Sequence, residues 1–541
     1  MPFVSELSLP LQLLVLASGL TLASVTLNVL AQLCLPASPS SPPLVFHWFP
    51  ILGSAVSYGT DPYKFFETNR AKHGDVFTFV LLGRKMTVAL GAKGSNLVFN
   101  GKLSQVSAEA AYHHLVTPVF GKEVVYDVPN AVFMEQKRMV KSGVSNENLR
   151  VYLGLIVDEV QQFLSHDARF EAFQSRKPGK SGAVPIFVAM SELIILTASR
   201  TLQGPEVRQG LDKSFADLYH DLDAGFTPIN FVFPYLPLPA NLRRDRAQKQ
   251  MSDFYRSIVE KRRTHPRDDM DPDMISALMG QKYKNGRSLS DLEIAHIMIA
   301  ILMAGQHTSS ATSSWALLRL GSKPELIEEL YQEQVKAYGD GQGGFMPQDF
   351  DTQRSSVPLL DAVVRETLRL HPPIHSIMRK VMSPITVPAT MSSSASSSRK
   401  GDRETLVIPE GHYVMAAPGV SQRDPKIWAQ HDDFDPHRWL SEKGPTLQAE
   451  AGDGDDTVDY GWGAVSSGSN SAYLPFGAGR HRCIGESFAY IQLGAIIAEF
   501  VRRFDWRLPG GKVPEPDYNS MIVLPAPPAH VIFTERAERI P

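Results

Sequence analysis

Cysteine is scarce: 541 residues carry two, Cys34 and Cys483. Two thiols exclude a disulfide-stapled scaffold, a four-cysteine zinc site and an iron–sulfur cluster. They fit a reducing compartment, and any chemistry at cysteine must be done by one thiol alone. An excess of charge is also missing, since 54 Lys and Arg meet 57 Asp and Glu for a formal charge of −3. With 43% apolar residues, the chain reads as globular, with no pull towards nucleic acid. A dinucleotide-binding G-x-G-x-x-G unit and room for a flavin domain are lacking too.

Charge of either sign is absent between Glu6 and Asp61, and residues 11–35 make 25 mostly apolar positions. As a helix they would span about 37 Å, enough to cross a bilayer with some tilt. A cleaved signal peptide is the competing reading, but no basic segment precedes the apolar run. The chain therefore parses as a short tail (1–10), a transmembrane anchor (11–35), a Pro-rich connector (36–60) and one large domain (61–541). PASPSSPP (36–43) is expected to act as a stiff, extended spacer. Flanking Lys and Arg are sparse and orient the anchor weakly, with the body expected in the cytosol. Cys34, at the membrane edge, reads as a small core-like residue.

From Asp61 onward helical patterns dominate, broken by β-rich runs such as DVFTFVLLG (75–83) and KMTVALG (85–91). The expected fold is mainly α with small sheets. Ser290 and Glu293 form an S-x-x-E capping box, Gly321 reads as the C′ residue, and Pro324 as the first residue of the next helix. That helix of about 30 residues, roughly 45 Å, contains ILMAGQHTSS (301–310). Gly305 costs about 1 kcal/mol against alanine inside a helix, which implies a use for the space. Thr308, taken alone, reads as bonding back to the carbonyl four residues earlier. Segments 390–404 and 447–471 are small, polar and turn-rich, and read as surface insertions.

The chemistry concentrates in PFGAGRHRCIGESFAYIQLGAIIAEF (475–500). Gly477, Gly479 and Gly485 surround Cys483 and permit close backbone approach. A turn of that kind, with a helix start beside it, is expected to favour a thiolate. A lone thiolate with the flat apolar Phe476 beside it suits the axial ligand of a haem iron. A structural cysteine is the commoner case for an isolated thiol. A nucleophile paired with His481 is a further reading, although sequence neighbours seldom face each other on one turn. The F-G-x-G-R-x-R-C-x-G spacing favours the haem ligand.

That loop resembles the haem-binding loop of the cytochrome P-450 monooxygenases. Glu366 and Arg369 in RETLRLHPP (365–373) match the family's E-x-x-R pair, and Arg438 in FDPHRW (434–439) its third partner. Alone, such a pair is a solvated helix face; the resemblance implies a buried network supporting the thiolate side. The segments AGQHTS (304–309), AYHHLVTPVFGKEVVYDVPN (111–130), HDLDAGFTPINFVFP (220–234), HPPIHSIMRKV (371–381) and VDYGWGAVSSGS (458–469) resemble the sterol 14α-demethylase branch, the last its fungal members. Val116 and Val128 depart from that pattern, where the branch has threonine and its fungal members cysteine.

The resemblance implies haem b bound by Cys483, with Phe476 and Gly477 beside it and its propionates held by Tyr112, Tyr126, Lys137, Arg379 and His481. Charge-assisted donors suit two carboxylates near an apolar cofactor. It implies a sterol cavity walled by Leu115, Phe120, Phe226, Ala304, Ile377, Met378 and Met521. Gly305 would leave room at the iron, and Thr308 would hydrogen-bond dioxygen or an ordered water. His307 stands where most relatives carry an acid, with Asp223 as its expected partner in moving protons. The implied activity is removal of the 14α-methyl group of a lanosterol-type sterol by successive oxidations with release of formate, in ergosterol-type biosynthesis. Electrons would come from NADPH through a separate reductase, and the setting would be the endoplasmic reticulum membrane. Arg480 and Arg482 offer that reductase a basic surface, with solvated and propionate-facing roles equally open. A hydroxylase of another lipid, a thiolate-haem sterol or gas sensor, and a membrane scaffold with a vestigial haem fold are the alternatives.

Overall fold

A computed structural model describes residues 8–36, 38–173, 179–211, 213–266, 271–388, 391, 405–440 and 471–536. Most of both expected insertions, and the VDYGWGAVSSGS segment, lie outside the described residues. The chain divides into two units, 1–107 with 376–420, and 108–375 with 421–541.

The first unit begins with the helix Leu9–Cys34, 26 residues of which none is buried. It is apolar, free of Asp, Glu, Lys and Arg, and rises about 39 Å, so it is a candidate membrane span. Near its end, Asn28 Nδ2 donates to the carbonyls of His47 and Trp48, each at 2.9 Å. Gln32 Nε2 donates to His47 O at 2.8 Å and Gln32 Oε1 accepts the His47 N–H at 3.1 Å. The connector therefore doubles back instead of extending as a stiff spacer. Two backbone bonds of 2.7 Å to Thr78, one accepted by Pro43 and one donated by Val45, add it to a sheet edge. The reason is general: an edge strand offers unpaired N–H and C=O groups, which the chain here covers.

That sheet has five strands in the order Val76–Leu81, Arg84–Ala89, Tyr413–Ala416, Ile377–Val381, Val106–Ser107. The two β-rich runs read from the sequence form its first hairpin. Leu82 and Gly83 turn it with φ of 49° and 78°, both positive as a two-residue hairpin of the right twist requires.

The second unit holds the main hydrophobic cluster and the helix Asp291–Gly321 of 31 residues. The capping box is formed: Ser290 Oγ accepts the Glu293 N–H at 3.1 Å and Glu293 Oε2 accepts the Ser290 N–H at 2.8 Å. Burial pushes the Glu293 carboxyl up, but hydrogen bonds from Arg287, Tyr283 and Ser290 hold it down at about 2. Pro324 opens the next helix, Pro324–Tyr338. Gly321 is not the C′ residue; it is the last helical one, and Ser322 follows at φ −87°. Its lack of Cβ serves packing, because a Cβ there would meet Trp506 Cδ1 at 3.0 Å and Leu508 Cδ2 at 3.1 Å. Trp506, on a strand of the three-stranded sheet Ser181–Pro185, His530–Glu535, Phe504–Arg507, donates its indole N–H to Leu317 O at 2.8 Å.

A G-x-G-x-x-G spacing does occur once, in GDGQGG (339–344). It follows the helix Pro324–Tyr338 and closes through a bridge between Gly339 and Phe345. It therefore lacks the strand before and helix after that a dinucleotide site needs.

Gly321→Ala gains about 1 kcal/mol of helix propensity but overpacks the Trp506 contact, at a cost of about 1–3 kcal/mol. Calorimetry is expected to show Tm lower by about 2 °C. A Tm equal to or above the unsubstituted protein's would mean that Trp506 and Leu508 give way freely.

Candidate active site

The cysteine loop hangs from the helix Pro358–Leu370. Tyr473 donates its hydroxyl to Arg365 O at 3.2 Å, and Leu474 N–H donates to Gln422 Oε1 at 3.1 Å. Gln422 in turn donates to the carbonyls of Leu368 and Arg369. Gly477 and Gly479 adopt φ of 68° and 64°, the left-handed region that glycine reaches without strain. Cys483 N–H donates to Phe476 O at 2.9 Å, closing the turn, and Gly485 caps the helix Glu486–Arg503.

Cys483 is accessible to solvent, yet protein atoms crowd around its sulfur. Burial pushes its pKa up, outweighing the Gly485 N–H and the positive charges of Lys137 and Arg482. Burial thus opposes the charge that the loop and helix start are expected to favour. Desolvation of the charged form dominates, and a metal cation would supply what the loop lacks. Lys137 braces the turn, its Nζ donating to Arg480 O at 2.8 Å and Arg482 O at 2.5 Å. Burial lowers its pKa to about 8, against a rise from Cys483. Arg482 pairs with Glu486 at 2.7 Å.

Beside the loop, Tyr112 stacks on Tyr126 at 5.5 Å between ring centroids, and Tyr126 and Phe133 lie 5.9 and 5.4 Å from the His481 ring. Four expected propionate donors, Tyr112, Tyr126, Lys137 and His481, are thus gathered in the second unit. Arg379 belongs to the first unit, buried on the strand Ile377–Val381 with Nη1 donating to Met378 O at 2.8 Å. Ile377 and Met378 share that strand. One turn is strained: Val125, a β-branched residue next to Tyr126, sits at φ 53°, a conformation costing about 1–3 kcal/mol.

The helix Asp291–Gly321 opens one face. Ala304 is exposed although Leu302, Met303, Gln306 and Ser309 around it are buried. A Cβ on Gly305 would meet nothing within 4 Å. Thr308 Oγ1 donates to Ala304 O at 2.9 Å, the back-bond expected of a threonine taken alone. Ser310, Thr312, Ser313 and Ser314 bond back in the same way, so five hydroxyls of this apolar helix, that of Thr308 included, are satisfied internally. His307 Nε2 lies 2.8 Å from Asp223 Oδ1, at the end of the helix Lys213–Asp223. No aligned hydrogen bond joins the two, so the contact is one of proximity. Phe120 meets Phe226 edge-on at 6.0 Å, and Leu115 and Val116, on the same helix as Phe120, are buried. Met521 lies between the short strands Pro516–Asp517 and Leu524–Pro525 and is half-exposed.

Glu366 is fully buried and receives Arg369 Nε and Nη2, both at 2.9 Å, Arg438 Nε at 3.0 Å, Trp439 Nε1 at 2.9 Å and the Asp435 N–H at 3.0 Å. Arg369 Nη1 also donates to the carbonyls of Gln422 and His431. The pair is no solvated helix face. Removing one partner of such a buried network costs about 3–5 kcal/mol.

Tyr219 was not singled out from sequence. Its ring lies 5.6 Å from that of His307, and its buried hydroxyl has no hydrogen-bond partner among the described residues. Burial and the Asp223 charge push its pKa up. The available signal was its i, i+4 spacing to Asp223 on one helix face.

A single accessible sulfur on a glycine turn, donors suited to carboxylates beside it and an open helix face fit a haem. The cytochrome P450 family model matches residues 42–533, and the chain belongs to that family, which implies a haem-iron cofactor and monooxygenase chemistry. The chain is 64% identical over 528 residues to the lanosterol 14-alpha demethylase of Mycosarcoma maydis, covering 96% of this chain and 93% of that one. It is 51% identical to lanosterol 14-alpha demethylase erg11 of Schizosaccharomyces pombe (92% and 93% covered) and 46% identical to the eburicol 14-alpha-demethylase of Penicillium italicum (96% of each). Among solved structures, a retinoic acid bound cyanobacterial CYP120A1 aligns with a TM-score of 0.70 at 20% identity, covering 92% of this chain and 100% of that one; this likeness concerns the fold.

Cys483→Ser is expected to abolish the red-shifted Soret band of the reduced carbon monoxide complex, because the only other cysteine of the sequence, Cys34, lies on the N-terminal helix and outside the glycine turn. Persistence of that band in the variant would remove Cys483 as the ligand.

Proposed function

We propose that the protein is a membrane-anchored sterol 14α-demethylase. It would take the 14α-methyl group of a lanosterol-type sterol through successive oxidations to formate. The observation that carries the reading is 64% identity across 96% of the chain to a lanosterol 14-alpha demethylase. NADPH would supply electrons through a separate reductase. Residues 11–35 would hold the protein in the endoplasmic reticulum membrane, with 61–541 on the cytosolic side. The exposed Phe46, Trp48 and Phe49, tied to the anchor through Asn28 and Gln32, would sit at the membrane interface, where aromatic side chains are favoured.

Haem, when bound through Cys483, supplies the redox chemistry that activates dioxygen. Tyr112, Tyr126, Lys137, Arg379 and His481 would hold its carboxylates. Leu115, Phe120, Phe226, Ala304, Ile377, Met378 and Met521 would wall the sterol site and exclude water. Protons must still arrive on the open face of the long helix. His307, one residue before Thr308, is placed to carry them there, with Asp223 holding the imidazolium. Thr308 Oγ1 spends its hydrogen on Ala304 O, leaving its lone pairs to accept one from water.

The competing role for Asp223 and His307 is a latch between helices. Side-chain exposures of 39% for Asp223 and 28% for His307 argue against it. Partly open side chains with no aligned hydrogen bond between them hold two helices weakly, so we assign the pair to proton transfer.

Mass spectrometry of products from the purified protein, reductase, NADPH and a panel of 14α-methyl sterols tests the function. Demethylated sterol and formate in equal amounts are expected; hydroxylation elsewhere would point to another lipid oxygenase, and bound but unchanged sterol to a sensor. His307→Ala and Asp223→Ala should each lower kcat by about 100-fold, with sterol affinity little changed. The double variant should be no slower than either alone, because the two act as a unit. A drop in sterol affinity or Tm at preserved kcat would instead identify a latch.

A further inference from the structure

The turn 121–127 holds two non-glycine residues at positive φ, Glu123 at 67° and Val125 at 53°. For valine this is an outlier, and such a conformation persists only where its surroundings over-determine it. Gln136, 3% exposed on the helix Asn130–Ser142, does that with one amide. Its Oε1 accepts the Val125 N–H at 3.3 Å, and its Nε2 donates to Glu123 O at 2.8 Å. The same Nε2 donates to the Tyr283 hydroxyl at 3.0 Å, which donates to Glu293 Oε1 at 2.6 Å. Glu293 is the capping-box carboxylate of the long helix.

The far side of the turn is pinned as well. Asp127 accepts the Glu123 N–H at 2.8 Å and the Thr117 hydroxyl at 3.2 Å, and His296 Nδ1 of the long helix lies 2.8 Å from Lys122 O. Strain stored one residue from a candidate ligand donor, and held by a buried amide that touches no expected ligand, is the mark of a positioning device. We propose that Gln136 is a positioning residue: by holding Val125 left-handed it sets Tyr126 against Tyr112 and His481, in place to donate to a haem carboxylate, and registers that donor to the N-terminus of the long helix.

The proposal rests on the reading of Tyr126 as a propionate donor, so the test separates the two. Holoprotein of the full chain is prepared with Tyr126→Phe, Gln136→Leu, both together, and Tyr283→Phe. The readouts are the haem reduction potential and the rate of haem transfer to apomyoglobin. Tyr126→Phe should speed transfer by about tenfold, the size of one hydrogen bond to a charged acceptor. Gln136→Leu should approach that rate and shift the potential in the same direction, yet add nothing in the Tyr126→Phe background. Equal effects of Gln136→Leu in both backgrounds, or none in either while Tyr126→Phe acts, would overturn the role of Gln136 alone. No effect of Tyr126→Phe would overturn the donor reading and this inference with it. If Gln136→Leu does not retain haem, Tyr283→Phe carries the test: a smaller shift, absent in the Tyr126→Phe background, supports the proposal, and wild-type values contradict it.

Discussion

The site depends on one buried carboxylate. Glu366 gathers two guanidinium groups, an indole N–H and a backbone N–H, fixing the helix Pro358–Leu370 to the segment 433–439. From that helix, Gln422 and the Arg365 carbonyl suspend residues 473–474, and the glycine turn then carries Cys483. A ligand sulfur must be held in one place, and a buried charge is a stringent way to do it. An uncompensated arginine costs several kcal/mol, so the alternatives to this arrangement are few.

The long helix works by the opposite principle. It is apolar and buried along most of its length, yet most of its hydroxyls turn inwards to its own carbonyls. One face stays open at Ala304 and Gly305, where His307 reaches across to Asp223. Back-bonded serines and threonines loosen and bend a helix, while the capping box at Ser290 secures its start. Order at the N-terminus and openness at the middle suit a helix that must both hold its register and admit small molecules.

Much of this could be read from local spacing. The capping box, the hairpin strands, Pro324 and the partnership of Asp223 with His307 all follow from short-range patterns or from the family resemblance. What escaped the sequence depends on distant contacts. Gly321 looked like a helix stop, but the reason for a glycine is Trp506, far along the chain. PASPSSPP looked like a spacer, but a sheet edge and two amides at the end of the N-terminal helix capture the chain after it. The Cys483 loop looked sufficient to make a thiolate, but the balance between desolvation and nearby donors is set by burial. Gln136 carries no motif at all; its part shows only in backbone angles that a sequence does not display.

The proposed function turns on protons reaching the sterol site through His307, on the open face of the long helix. The solvent deuterium isotope effect on steady-state sterol oxidation tests it directly, measured with saturating reductase in the unsubstituted protein and in His307→Ala. A clear normal effect is expected in the unsubstituted protein, altered in magnitude and in its dependence on deuterium fraction once the imidazole is gone. The same effect and the same dependence in both proteins would contradict the account.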